Sequence, residues 1–181
     1  MKKIKKYIFL LIYVTIAKNL PASRSRLFGK QAMLIRRYCC KNIFKSCGKK
    51  VNVERRANFG NGFELEIGDY SGLGINCQVP NNIKIGNNVM MGPNCHILSQ
   101  NHNISNVEKP MRGTGYVKKD TIIEDDVWIG LNVIFTPGRT LKRGSVVAAG
   151  CILSKDFPAY SIIGGNPSKL IRSRIENSVE I

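Results

Sequence analysis

The stretch IEDDVWIGLNVIFTPGRTLKRGSVVAAGCI, residues 123–152, places an apolar residue at every sixth position. A period of six matches neither the 3.6-residue turn of a helix nor the two-residue alternation of a half-buried strand. It predicts instead a solenoid whose backbone turns a corner every six residues, with the repeated apolar side chains inside a prism-shaped core. The same phase occurs earlier in the chain, and the two series are Ile67, Leu73, Val79, Ile85, Met91, Ile97 and Ile123, Ile129, Phe135, Leu141, Val147, Leu153, Ala159.

The other repeat positions carry residues that suit tight corners. The second position is often glycine, which is expected where a corner needs an unusual φ or a close backbone approach. With three corners to a coil, we expect residues one coil apart to stack, as in Ile67 on Ile85 and Ile123 on Leu141. The fifth position is small or β-branched and is predicted to face inward, at Ser71, Cys77, Val89, Cys95, Val127, Val133, Ser145 and Cys151.

Two segments depart from the period. Residues 103–122 interrupt it directly after His102. Because long structureless excursions in compact domains are usually functional, this segment is predicted to be a protruding functional loop. Upstream, the series that starts at Val53 keeps the spacing but runs two residues out of phase with Ile67, which predicts a small bulge near Asn61-Gly62.

The positive charge is concentrated at one end of the chain. The whole sequence carries 28 Lys and Arg against 12 Asp and Glu, a formal net charge of +16. Residues 1–56 hold 16 of these cations and one acid, Glu54, so the solenoid itself is close to neutral. Nucleic-acid binding is disfavoured, because no groove-reading motif is present and the aromatic residues are not interleaved with the basic ones.

The N-terminal residues combine a basic start with the apolar stretch 7–17. This resembles a signal peptide, but no small-x-small cleavage site follows, and a bilayer span needs about twenty residues. We expect a helix that docks on the prism or lies in a membrane surface, followed by a second short basic helix over 30–44. Since a basic residue near anionic lipid gains roughly 1 kcal/mol, residues 1–48 are predicted to associate weakly with the inner leaflet. The alternative is solvated helix faces with no partner.

The six cysteines show no metal-ligand spacing, and no metal is predicted. Cys77, Cys95 and Cys151 fall at the small inward position of the repeat. They are predicted to be buried and reduced, which fits a cytoplasmic protein.

The chain from 123 to 172 resembles the hexapeptide-repeat acyltransferases of the left-handed β-helix superfamily. The resemblance rests on DDVWIG (125–130), TPGRTL (136–141), AAGC (148–151), SKDFP (154–158) and GGNPSK (164–169), and it also covers 85–102. It implies an all-β solenoid, a left-handed parallel β-helix with a short basic helical N-terminal extension. The expected units are the extension (1–49), the β-helix (50–164) with its protruding loop (103–122), and a C-terminal segment (165–181). The extension is similar to that of bacterial O-acetyltransferases of capsule, lipopolysaccharide or exopolysaccharide synthesis.

This resemblance implies acetyl transfer from acetyl-CoA to a sugar or lipid-linked saccharide, in a groove between subunits of a homotrimer. Histidine suits the general base, because its ordinary pKa of about 6.5 lies near neutral pH. Of the two histidines, His102 matches the family's catalytic residue, and His96 is interpreted as a surface residue. By motif matching, the cofactor-binding residues are Leu131, Ala149, Ser154, Lys155, Lys169 and Arg172, and the substrate-binding residues are Asn76 and Trp128.

Other functions stay open at this point. An N-acetyltransferase of an amino sugar and a serine O-acetyltransferase share the repeat, although the latter usually carries a longer helical N-terminal domain. A γ-type carbonic anhydrase is disfavoured, because it needs three zinc-binding histidines and this chain has two. A catalytically inactive trimeric scaffold would keep the prism and lose the base.

Overall fold

The computed structural model describes residues 2–108 and 110–175. The helices are α1 (Lys2–Thr15) and α2 (Gly29–Ile43), with 3₁₀ turns at Ala17–Asn19 and Met111–Gly113. The strands are β1 (Ser46–Cys47), β2 (Asn52–Val53), β3 (Glu66–Ile67), β4 (Gly72–Leu73), β5 (Lys84–Ile85), β6 (Met90–Met91), β7 (His96–Ile97), β8 (Gln100–His102), β9 (Tyr116–Lys118), β10 (Ile122–Ile123), β11 (Trp128–Ile129), β12 (Ile134–Phe135), β13 (Thr140–Leu141), β14 (Val146–Val147), β15 (Ile152–Leu153), β16 (Ser161–Gly164) and β17 (Lys169–Ser173).

The solenoid has three faces, because each repeat contributes one short strand and then turns a corner. Face one is the parallel sheet β1-β3-β5-β10-β13, and face three is β7-β12-β15. Face two is β6-β11-β14-β16, continued towards the N-terminus by the pair β2-β4. Ile67 pairs with Ile85 and Ile123 with Leu141, so the predicted stacking is confirmed.

The core is filled by the first and fifth repeat positions, as predicted. Ile129 and Phe135 are fully buried, and the predicted fifth-position residues are all at most 1% exposed. The glycines at the second position serve a close backbone approach, since a Cβ on Gly92 would lie 2.7 Å from the carbonyl carbon of Gly130 in the next coil. The left-handed backbone conformation occurs two residues after the glycine, as at Asn94, which has a φ of 56°.

Both predicted departures from the period are present. Ile85 and Ile123 are neighbours on face one although they are 38 residues apart, against 18 for the pair β3-β5. The twenty extra residues form an antiparallel hairpin of β8 and β9, so the predicted loop has regular structure of its own. The bulge in the first coil places Gly60 and Gly62 at positive φ.

The prediction that Ala159 points into the core is wrong. Ala159 is exposed, and Ile163 takes the inward position opposite Val147, two residues short of a full coil. The phase is lost because β16 is a longer strand that also pairs antiparallel with β17. The last coil is therefore closed by the returning chain.

The two predicted helices cover the first-coil end of the core. The hydroxyl of Tyr13 in α1 donates to the carbonyl of Ala57 at 2.7 Å, and its ring packs on Phe59. The solenoid begins at β1, within the predicted extension 1–49, so helices and first coil form one packed unit.

Arg36 of α2 is fully buried, although the sequence suggested only a basic helix surface. Its carboxylate partner is Glu54, with Nη2 3.7 Å from Oε2. Its guanidinium donates to the Val53 carbonyl (2.6 Å), the Pro21 carbonyl (2.8 Å), the Leu20 carbonyl (3.3 Å) and the Ser23 hydroxyl (3.4 Å). Arg36 therefore ties the segment between the helices to the first coil.

Candidate active site

His102 lies at the end of β8, on the hairpin that leaves the corner between faces three and one. It pairs with Tyr116 of β9, and their ring centroids are 4.4 Å apart. The imidazole is exposed and makes no hydrogen bond to any other described residue. Its ring nitrogens are therefore available to a bound molecule. His96, by contrast, lies on β7 of face three. It is exposed, so the prediction that it is a surface residue is confirmed.

Leu131 and Ala149 lie one above the other on the corner between faces two and three. The N–H of Gly150 donates to the Leu131 carbonyl at 2.9 Å, which fixes the spacing of the two coils there. Leu131 is 47% exposed and Ala149 is exposed. The corner therefore presents an apolar side chain and a small residue to solvent.

Ser154 and Lys155 follow β15 at the other edge of face three. The Ser154 N–H donates to the Ser168 hydroxyl at 3.0 Å, and the two hydroxyls are 3.1 Å apart. This contact places Lys155 and Lys169, the neighbours of the paired serines, at the same end of the prism. Arg172 follows on β17, opposite Ile162.

The three cations of this end are exposed and form no ion pair within the described residues. The Nζ of Lys155 lies 5.5 Å from the ring centroid of Phe157. Unpaired cations at one end of the prism attract a polyanion, so the chemistry of Lys155, Lys169 and Arg172 is compatible with the predicted contacts to phosphate groups.

Trp128 projects from face two, where its strand neighbours are Met90 and Val146. It is 53% exposed and lines a groove of about 440 Å³ between face two and the segment that precedes α2. Arg24 and Glu54 also line this groove, and no sequence motif pointed to either of them. A groove with an aromatic wall and several polar groups is suited to a small polar molecule.

Glu54 is held ionised by its surroundings. Burial alone would raise the pKa of this carboxyl, but hydrogen bonds from Ser23, Asn52 and the Arg55 N–H bring the pKa below its ordinary value. The Ser23 N–H donates to Oε2 at 3.0 Å and the Asn52 amide to Oε1 at 3.1 Å. The groove is thus lined by an ionised carboxylate near neutral pH, which is paired with the buried guanidinium of Arg36.

Asn76 lies on the corner of Leu131 and Ala149, several coils closer to the N-terminus. Its amide donates to Asn94, whose amide donates to Asn132, at 3.1 and 3.0 Å. All three take positive φ, so the geometry of the corner is itself a reason for asparagine there. A role of Asn76 in acceptor binding stays a prediction.

A cavity of about 500 Å³ lies on the outer side of face one, and its lining contains none of the predicted site residues. Among residues 2–108 and 110–175, no group of three His, Cys, Asp or Glu is placed to hold a metal ion. The cysteines at 77, 95 and 151 are buried free thiols, as predicted.

One chain does not bring the predicted site together. His102 extends from the corner between faces three and one, whereas Trp128 lies on face two. Leu131 and Ala149 occupy the corner between faces two and three. His102, the predicted base, and the groove are therefore on different sides of the prism.

Comparison with known proteins identifies the repeat and the fold. Residues 120–155 match the family model for the hexapeptide repeat of succinyl-transferase. A galactoside O-acetyltransferase of Lactococcus lactis is 32% identical over 141 residues, which are 76% of this chain and 67% of that protein. For a relative from Schizosaccharomyces pombe, 38% identical over 128 residues, the match spans 60% of that protein's length.

Two solved structures share nearly the whole architecture. A maltose O-acetyltransferase from Clostridium difficile superimposes with a TM-score of 0.74 at 27% identity, over 94% of this chain and 87% of that one. A hexapeptide-repeat acetyltransferase from Vibrio cholerae, complexed with acetyl-CoA, gives a TM-score of 0.72 at 26% identity, over 95% and 86%. The predicted left-handed parallel β-helix is confirmed. The chain belongs to the hexapeptide-repeat acetyltransferases.

Proposed function

We propose that this chain is a cytoplasmic, acetyl-CoA-dependent O-acetyltransferase acting on a sugar hydroxyl in bacterial surface polysaccharide or glycolipid biosynthesis. The observation that carries the proposal is His102, an exposed imidazole without a hydrogen-bond partner among the described residues, held on an ordered hairpin. The acetyltransferase relatives supply the reaction class, and the galactoside and maltose enzymes favour a saccharide acceptor.

In this mechanism His102 acts as the general base. Its unprotonated ring nitrogen accepts the proton of the acceptor hydroxyl while that oxygen attacks the thioester carbonyl carbon. The new C–O bond forms, the C–S bond breaks, and the proton passes to the departing sulfur, which gives the ester and free CoA thiol. A positioned base contributes about 10²–10⁴ in rate.

The residues proposed for acetyl-CoA follow the length of the prism. Lys155, Lys169 and Arg172 hold the phosphates through charge-assisted contacts. Ala149 and Leu131 line the path of the pantetheine arm along their corner. The thioester then lies towards the coils from which the hairpin departs.

The acceptor is proposed to occupy the groove beside Trp128. Sugar rings present apolar faces that stack on aromatic side chains, and hydroxyls that need polar partners. Trp128 supplies the aromatic surface, and Arg24 and Glu54 supply charged and hydrogen-bonding groups.

A homotrimer is proposed to complete the site, because a second copy can present its His102 hairpin to the Trp128 side of the first. A cyclic assembly repeats one such contact at every interface. Each site would then combine side chains from two chains.

The test is release of CoA thiol from acetyl-CoA with a panel of mono- and disaccharides, each paired with its amino-sugar analogue. His102→Asn is expected to lower kcat by at least about 10²-fold, because it removes the base. His96→Asn is the matched control, since this second exposed histidine lies outside the proposed site. Retained turnover in His102→Asn would overturn the assignment of the base, and preference for the amines would make the enzyme an N-acetyltransferase.

Sharing of the site is tested by co-expressing His102→Asn with Trp128→Ala. If His102 and Trp128 meet across an interface, about one site in four of a random assembly combines an intact His102 from one chain with an intact Trp128 from the next. About a quarter of wild-type activity then returns. If they act within one chain, no activity returns.

A further inference from the structure

Helix α1 is apolar on two opposite sides. One side carries Phe9, Leu10 and Tyr13, which pack against the core of the first coil. The other side carries Ile4, Ile8 and Leu11, at helical spacing, and these are 66%, 53% and 66% exposed. The first stripe explains why the helix docks on the prism. The second stripe is left exposed to solvent by the rest of the described chain.

Lysines flank the exposed stripe. Lys3 and Lys5 are exposed on its two sides, and α1 contains no acidic residue. The whole segment 1–56 carries 16 cations against one acid. An apolar strip bordered by positive charge is complementary to a lipid surface, in which an apolar acyl layer lies beneath anionic headgroups.

The neighbouring helix α2 contributes less than its sequence suggests. Arg36 is buried in its ion pair with Glu54, and the Nε of Arg37 donates to the Val51 carbonyl at 2.6 Å. These arginines are engaged within the protein. The surface available for binding is therefore centred on α1.

We propose that the Ile4–Ile8–Leu11 face of α1 inserts into the interface of a membrane rich in anionic phospholipid. The helix has 14 residues, about 21 Å at 1.5 Å per residue, against roughly 30 Å for the hydrocarbon core of a bilayer. It therefore lies in the plane of the interface, with Lys3 and Lys5 reaching the phosphates. No described helix is long and apolar enough to span a bilayer.

Docking in this way orients the whole prism. Because Tyr13 packs α1 against the first coil, the first-coil end faces the lipid. The last coil, with Ser154 and Lys155, points away into the aqueous phase. Binding itself does not depend on the proposed acetyl transfer, so the two proposals can fail separately.

The experiment is flotation of the full-length protein with vesicles made of equal parts phosphatidylglycerol and phosphatidylcholine, or of phosphatidylcholine alone. The wild type is expected to float with the anionic vesicles at low salt, and less so at high salt, because surface charges are screened. The double variant Ile8→Gln/Leu11→Gln is expected to lose at least about tenfold in partitioning, since two apolar side chains no longer enter the interface. Lys3→Gln is expected to lose about fivefold.

Val107→Gln is the matched control, because Val107 is 94% exposed and lies on the hairpin far from α1 in the chain. It should float like the wild type, as should His102→Asn. Thermal unfolding of each variant checks that the fold is kept, which is expected for exposed positions.

Three outcomes would overturn the proposal. The first is a wild type that does not float with anionic vesicles at low salt. The second is a double variant that floats as well as the wild type does. The third is a double variant whose molecular mass in solution falls, which would make the α1 face a contact between copies of the chain.

Discussion

Replacing Arg36 by alanine should destabilise the protein far more than a helix-surface substitution would. The change removes a buried guanidinium with four hydrogen bonds and leaves Glu54 and three main-chain carbonyls without their partner. Breaking a buried ion pair by removing one member costs about 3–5 kcal/mol. For a chain of 181 residues, 1 kcal/mol lowers Tm by about 2–4 °C, so a fall of about 6–20 °C is expected.

The adjacent arginine provides the control. Arg37 is half-buried, and its Nε makes one hydrogen bond to a main-chain carbonyl. Arg37→Ala should therefore cost about 1 kcal/mol, or about 2–4 °C. Arg36→Lys should lie between the two variants, because an ammonium cannot reproduce the guanidinium fork. Equal melting temperatures of Arg36→Ala and Arg37→Ala, measured by circular dichroism, would refute the role assigned to Arg36.

Two further predictions concern titratable groups. Because the pKa of Glu54 is lowered in the folded protein, its contribution to stability is present above its ordinary pKa of 4.5 and is lost as the pH falls through the folded value. Urea unfolding between pH 7 and pH 3 should therefore show a smaller loss of unfolding free energy in Glu54→Gln than in the wild type. An equal dependence of the unfolding free energy on pH in the two proteins would contradict this. Burial raises the pKa of the Cys77 thiol to about 12, so this thiol should react with a thiolate-specific reagent only as fast as the protein opens. In Cys77→Ser, fast labelling of the native protein should be unchanged and one slowly labelled thiol should be missing.

The fold could be predicted from the sequence because its determinants are periodic. Each inward residue from Ile67 to Leu153 occupies the same position relative to the next corner of the backbone. One rule, the six-residue spacing alone, therefore predicts the inward residues of all these coils. The rule failed at Ala159, where no further coil follows and the returning strand β17 sets the pairing instead. Periodicity carries no information about the ends of a solenoid.

The candidate site was predictable only in part. His102 stood out as one of two histidines, at the point where the repeat is interrupted. Arg24 and Glu54 did not, because their place beside Trp128 depends on how the segment before α2 folds back on face two. The burial of Arg36 was missed for the same reason, since its partners come from distant parts of the chain.

The hairpin that carries His102 enters at a corner, and the pairing on all three faces resumes unshifted beyond it. Its length and composition are therefore uncoupled from the register of the core. Doubling the length of a flexible loop costs only about 0.6 kcal/mol of closure entropy. Residues 103–115 can thus be exchanged for a longer or shorter segment while the register of the scaffold stays intact.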